Sequence, residues 1–142
     1  MTYGVGVLHR FDTQKHPLTK LVCKDGIDWC TDIFDAFVKV NQPVALGDCI
    51  VRRYTPVRRD QSVTVIHVYS TERDDVEFVT DRDVTCCGTL TLKLDENVAD
   101  NQSGGRREIR TEMMFGDTEI KVRATDVTTQ LSVEASIDFM TF

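Results

Sequence analysis

The stretch REIRTEMMFGDTEIKVRATDVTTQLSVEASIDF, residues 107–139, decides the fold class because apolar and polar residues alternate along three successive segments. In the middle segment, Ile120, Val122 and Ala124 lie on one face and charged side chains on the other. The flanking segments repeat the pattern with the inward-facing residues Ile109, Thr111, Met113 and Phe115, and Val133, Ala135, Ile137 and Phe139. A period of two is typical of half-buried antiparallel strands. FGDTE and DVTTQ, which separate the segments, predict hairpin turns, with Gly116 expected at a positive φ.

Two further segments upstream also predict strands. TLTLKLDEN alternates Leu90, Leu92 and Leu94 before a polar loop at residues 95–107. QSVTVIHVYS, residues 61–70, is apolar on both faces, with Val63, Val65 and Tyr69 on one and Ile66 and Val68 on the other. A strand of this kind lies either in the centre of a sandwich or under a ligand.

The segment KDGIDWCTDIFDAFVKV, residues 24–40, breaks the strand pattern. Its apolar residues recur at near-helical spacing, which predicts a helical turn or two between Asp28 and Val38, capped by Asp28 or Thr31. The whole chain is therefore predicted to be all-β: one antiparallel β-sandwich over residues 1–142. A short, partly helical insertion near residues 25–38 is expected within a longer excursion at residues 11–37.

Composition narrows the class of protein. The chain has 142 residues, 41% apolar, which suits one core, and its net charge of −6 argues against nucleic acid as the main partner. We find neither a signal-peptide pattern nor an apolar run of ~20 residues, which predicts a cytoplasmic or nuclear location and no membrane span. The five cysteines are expected to be reduced, with neighbours Cys86 and Cys87 on opposite faces of a strand.

Catalytic patterns do not emerge from the sequence. Of the three histidines, His67 lies among apolar residues and is interpreted as a core or groove histidine. G-x-S-x-G and H-E-x-x-H motifs are absent, as are a phosphate loop and metal-ligand cysteine spacing. The sequence favours a binding module over an enzyme, with no catalytic residue, metal or cofactor in this domain.

A basic segment, VRRYTPVRRDQSVTVIHVYSTE, spans residues 51–72. Its four arginines, Arg52, Arg53, Arg58 and Arg59, are placed on a predicted hairpin. Charges of this kind keep an exposed hairpin soluble, and they also suit acidic flanks of a ligand or an anionic ligand such as a phospholipid headgroup or sulfated glycan.

The order of several segments resembles a known family. These are TYGVGV (residues 2–7), residues 38–72, CGTLTLKL (residues 87–94) and residues 107–139. Together they are similar to the β-sandwich substrate-binding domain of the 70-kDa heat-shock protein family. KDGIDWCTDIF resembles a signature of its divergent branch, heat shock 70 kDa protein 12. The resemblance covers essentially the whole chain.

This resemblance implies a chaperone-type, stress-response function in which a groove holds an extended apolar polypeptide segment. It also implies an upstream ATPase domain, which would bind ATP and Mg²⁺, outside residues 1–142. Thr64 and Ile66 would face the ligand, while Val63 and Val65 would serve the core. Carried over position by position, the groove is expected to comprise Val5, Val7, Leu8, Tyr54, Val57, Thr64, Ile66 and Ile109.

Two questions stay open at this point. The insertion residues Trp29, Phe34 and Phe37 form either an added mini-core or a ligand contact. The domain binds client peptides, or it no longer binds them and acts instead as a protein-interaction or regulatory module. Exposed edge strands would favour dimerisation in either case.

Overall fold

A computed structural model describes residues 1–55, 62–94 and 108–138 of the protein. These ranges contain nine strands and one 3₁₀ turn, Leu18–Lys20. The strands are β1 (Thr2–Arg10), β2 (Leu21–Lys24), β3 (Ile27–Val38), β4 (Cys49–Tyr54), β5 (Val63–Thr71), β6 (Thr85–Lys93), β7 (Ile109–Phe115), β8 (Glu119–Asp126) and β9 (Ser132–Asp138).

The strands form two antiparallel sheets, which confirms the predicted all-β sandwich. The first sheet has the order β2-β3-β1-β5-β6, and the second has the order β4-β7-β8-β9. Among the described residues, no helix has the length and apolar character that crossing a membrane requires.

The core lies between the two sheets, and the alternation along β6, β7 and β8 builds much of it. Met113, Ile120 and Val122 are fully buried on the second sheet, facing Val68 and Leu92 of the first. Burying a side chain of this size stabilises the fold by roughly 1.5–3 kcal/mol. The strand faces predicted from the period of two for Leu90, Leu92, Leu94 and for β7 and β8 are confirmed.

Both predicted hairpin turns are present, but the prediction of a positive φ at Gly116 is wrong. Glycine is favoured there because its neighbours are close: a Cβ on Gly116 would lie 3.0 Å from the Glu119 carbonyl oxygen. In the second turn, Gln130 adopts the left-handed conformation, with a φ of 65°.

The predicted helix at residues 28–38 is wrong, because these residues belong to the long strand β3. The pairing of β3 with β1 shifts register twice, between Tyr3 and Gly4 and between Val7 and His9, with an extra β3 residue at each shift. Each bulge moves the inside–outside alternation by one residue. Phe37 and Val38 of β3 are buried in the core, whereas Cys30 and Phe34 are buried outside the core cluster, and the spacing of these four residues imitates that of a helix.

The faces of β5 also differ from the prediction. Val63 and Val65, expected in the core, are 40% and 46% exposed on the outer face of the first sheet. Ile66 and Val68 point inward and are 8% and 0% exposed. Alternation alone defines two faces, and only the position of the second sheet decides which of them is inside.

The prediction that the four arginines lie on a hairpin is also wrong. Strands β4 and β5 lie in different sheets, so they do not pair with each other as the two strands of a hairpin. Val57, Arg58 and Arg59 lie outside the described residues, as do Phe139 and the loop predicted at residues 95–107.

The burial pattern of β5 predicts that aspartate lowers the free energy of unfolding far more at position 66 than at position 65. Ile66→Asp places a charge in the core and is expected to lower the free energy of unfolding by about 4 kcal/mol or more. Val65→Asp, the matched control on the outer face, should cost less than about 1 kcal/mol. Urea denaturation measures both values, and equal losses would contradict the assigned faces.

Candidate functional site

The pairing between β1 and β5 stops partway along both strands. It runs from Thr2–Thr71 to Val5–Val68. Beyond that point the pairing described for β1 is with β3 alone, and that for β5 is with β6 alone. Among the described residues, no strand pairs with the free side of residues 6–10 or with that of residues 64–67, and we call the space between these two strand edges the cleft. Strand edges without a ladder partner can pair with an extended segment.

The second sheet closes the base of the cleft. Tyr54 Oη donates a hydrogen bond of 2.6 Å to Asp35 Oδ2, which joins β4 to β3. Asp35 pairs with Val5 in the first sheet, and Tyr54 pairs with Ile109 in the second. Tyr54 and Ile109 therefore lie at the level where β1 leaves β5.

The residues predicted to line the groove fall into two groups at this place. Val5, Ile66 and Ile109 are 1%, 8% and 2% exposed and belong to the core beneath the cleft, so they do not form an open surface. The half-buried members are Val7, Leu8, Tyr54 and Thr64. Whether any of these residues contacts a peptide stays a prediction.

Tyr54 and Arg52 tie the two sheets together beside the cleft. Burial and the neighbouring Asp35 carboxylate raise the pKa of the Tyr54 hydroxyl, so that it remains a donor. The Arg52 guanidinium carbon lies 5.3 Å from the ring centroid of Phe37, and Nη2 donates to the Ala36 carbonyl oxygen at 3.4 Å. These contacts hold β4 of the second sheet against β3 of the first sheet.

Of the four arginines predicted to contact an anion, the two that the structure describes have partners within the chain. Arg52 lies against Phe37, and Arg53 forms a 2.8 Å ion pair with Glu108. The exposed Arg53–Glu108 pair contributes little stability, but it neutralises the charge that an anionic ligand would require.

The aromatic residues of the predicted insertion separate in the structure. Phe37 joins the core, whereas Phe34 and Trp29 lie outside that core cluster. The Arg10 guanidinium is 5.5 Å from the Trp29 ring centroid, and the two residues are a cross-strand pair of β1 and β3. The three residues therefore have different surroundings.

The sequence also predicted the strand faces of Cys86 and Cys87 and the surroundings of His67. Cys86 is exposed and Cys87 half-buried against the core, which confirms their opposite faces. His67 is exposed, with Nδ1 3.2 Å from Thr89 Oγ1, so its placement in the core is wrong, while its backbone lies at the edge of the cleft. Among the described residues, we find no cluster of side chains suited to holding a metal ion.

Sequence reasoning missed the two features that define the cleft: the early end of the β1–β5 ladder and Asp35. The end of the ladder leaves no signal in the amino-acid sequence, because both strands continue with apolar residues. Asp35 does carry one, since a carboxylate within the apolar run from Ile33 to Val38 needs a hydrogen-bond donor.

The chain is similar along its whole length to part of several longer heat shock proteins. The chain is 51% identical over 147 residues to heat shock 70 kDa protein 12A of Mus musculus, covering 100% of this chain and 21% of the relative. It is 51% identical over 142 residues to the Homo sapiens protein 12A, and 49% over 144 residues to Homo sapiens heat shock 70 kDa protein 12B. The chain spans about a fifth of the length of these relatives. No protein-family model matches it.

Removing the Tyr54 hydroxyl should weaken the link between the sheets. Tyr54→Phe leaves the half-buried Asp35 carboxylate without its donor and is expected to lower the free energy of unfolding by about 1.5–3 kcal/mol. A double-mutant cycle with Asp35→Ala isolates the interaction. Strictly additive losses in urea denaturation would show that the hydrogen bond contributes nothing.

The neighbouring thiols should differ in reactivity. Burial raises the pKa of Cys87 from 9.0 to about 11, so folding disfavours its thiolate. The stability from the neutral thiol is complete below pH 9 and is lost as the pH rises through 11. At pH 8, iodoacetamide should modify exposed Cys86 at least about tenfold faster than Cys87, as followed by peptide mass spectrometry. Equal rates would contradict this difference in environment.

Proposed function

We propose that this chain, which is related along its whole length to one segment of the heat shock 70 kDa proteins 12A and 12B, is a non-enzymatic chaperone-type binding domain. It holds an extended apolar polypeptide segment in the cleft between β1 and β5. The observation that carries this proposal is the end of the β1–β5 ladder at Val5–Val68. In the longer protein, an upstream ATPase domain would couple binding to nucleotide turnover.

The backbone of the cleft supplies binding that is independent of ligand sequence. Five residues of β1 and four of β5 border it, and they span about 17 Å and about 14 Å of extended chain. An added segment would exchange main-chain hydrogen bonds with these edges, each contributing roughly 0.5–1.5 kcal/mol net. This chemistry suits unfolded polypeptide rather than a folded surface.

The side chains beside the cleft would select among ligands. Val7 and Thr64 are half-buried, so a ligand side chain can complete their burial. The Thr64 hydroxyl disfavours a wholly apolar contact and favours a smaller side chain or one with a hydrogen-bonding group. The proposed ligand is therefore apolar in general, with a small or hydroxyl-bearing residue at Thr64.

Recognition of an anionic ligand has less support. Arg53 is paired with Glu108, and Arg52 is engaged with the ring of Phe37. A domain without client peptides, acting through other contacts, is the remaining alternative, and a negative binding test would favour it.

A charge at the cleft should weaken peptide binding. Thr64→Asp is expected to weaken binding of a fluorescein-labelled, Leu-rich peptide of about seven residues by at least about tenfold, because the ligand must desolvate the carboxylate. Thr91→Asp is the matched control, since Thr91 is exposed on β6. Fluorescence anisotropy measures both affinities.

Three results would contradict the proposal: no binding by the unchanged chain, equal losses in the two variants, or binding that disappears in high salt. The last would favour the arginines and an anionic ligand. Thermal unfolding of each variant separates lost binding from lost structure.

A further inference from the structure

The connection between β5 and β6, residues 72–84, crosses back over the first sheet to β3, and we call it the strap. Phe34 N donates to the Glu77 carbonyl oxygen at 3.0 Å, and Val79 N donates to the Asp32 carbonyl oxygen at 2.8 Å. Ile33 and Phe78 form an isolated antiparallel bridge between these two bonds. The strap therefore attaches by its backbone to the strand on the far side of β1.

The strap passes β1 beside the closed end of the cleft. Gly6 is the first β1 residue beyond the last β1–β5 pair. A Cβ on Gly6 would lie 3.1 Å from Tyr69 Cε2 and 3.4 Å from Val79 Cγ1. The Tyr69 side chain of β5 and the Val79 side chain of the strap thus both pack against β1 at the point where β1 separates from β5.

One ammonium group fastens the strap. Lys20 Nζ, on the 3₁₀ turn, donates to Asp32 Oδ2 at 3.1 Å and to Thr80 Oγ1 at 2.8 Å. It also lies 5.4 Å from the ring centroid of Phe78. The Lys20 side chain is only 18% exposed, so these contacts are partly shielded from water and salt.

Hydrogen bonds within the strap hold its residues in a fixed arrangement. Asp81 Oδ2 accepts hydrogen bonds from Glu77 N and Phe78 N, each at 3.0 Å. The Arg73 guanidinium bonds to Asp75 Oδ1 at 3.0 Å and to the Arg82 carbonyl oxygen at 3.2 Å. The two arms of the strap are thereby held together.

We propose that the strap limits how far β1 separates from β5, and that its Lys20 fastener controls how fast a ligand leaves the cleft. The strap continues directly from β5 and is bonded to β3, while β1 is paired between these two strands. Separation of β1 from β5 therefore requires the strap to stretch or detach. The regulatory part of this proposal rests on the function proposed for the cleft.

Two single variants test the fastener. Lys20→Met removes the ammonium and keeps the apolar stem. Asp32→Asn removes the carboxylate charge at a residue whose φ of 62° asparagine tolerates. Lys24→Met, at the other end of β2, is the control, because Lys24 forms no ion pair with a described residue.

Hydrogen exchange tests the strap without any ligand. In the 142-residue chain, Lys20→Met and Asp32→Asn should each speed exchange of the Phe34 and Val79 amides by roughly three- to tenfold, and the double variant should add little. Exchange of the β7–β8 amides serves as an internal reference and should not change. Unchanged exchange at Phe34 and Val79 in both variants would overturn the strap.

Ligand dissociation tests the control of the cleft. With the labelled peptide, both variants should raise the dissociation rate constant by the same roughly three- to tenfold, and Lys24→Met should not. An unchanged rate constant, with exchange accelerated, would overturn the strap's control of the ligand. If the unchanged chain binds no peptide, the function proposed for the cleft fails, and exchange alone decides whether the strap restrains β1.

Discussion

Four residue pairs between β1 and β5 hold the two halves of the first sheet together. The pairs run from Thr2–Thr71 to Val5–Val68, and seven of their eight residues are buried. Burial protects their hydrogen bonds from competing water. Because β2 and β3 reach β5 only through β1 in this sheet, the core, the cleft and the strap all depend on this short ladder.

The same ladder explains why stable and open regions lie side by side. Where β1 and β5 pair, their inward residues Val5 and Val68 contribute to a dry core. One residue further, Gly6 has β3 on one side and the cleft on the other. The second sheet does not open with the first, because the Tyr54–Asp35 hydrogen bond ties β4 to β3 at this level.

Particular elements show how far sequence reasoning reached. In β7 and β8, one face meets the core and the other carries mostly charged side chains, so alternation predicted their apolar inward residues, although it did not predict the burial of Asp126. In β3, two bulges displaced the alternation, and the buried residues acquired the spacing of a helix. In β5, both faces are apolar, and the pattern had no means of showing that Val65 is outside and Ile66 inside. The candidate site suffered most, because the predicted groove combined core residues such as Val5 with half-buried ones such as Thr64.

The all-β class, the turns after β7 and β8, and the similarity to heat shock 70 kDa proteins 12A and 12B, with about half of the aligned residues identical, could be read from the amino-acid sequence alone. These properties follow from local alternation and from residue identity. The separation of β4 and β5 into different sheets, the departure of β1 from β5 at Val5, and the contacts of Lys20 with Asp32 and Thr80 became visible in the folded chain alone. Such features depend on contacts between residues that are distant in the chain, such as Lys20 and Thr80, 60 positions apart, and local periodicity carries no information about them.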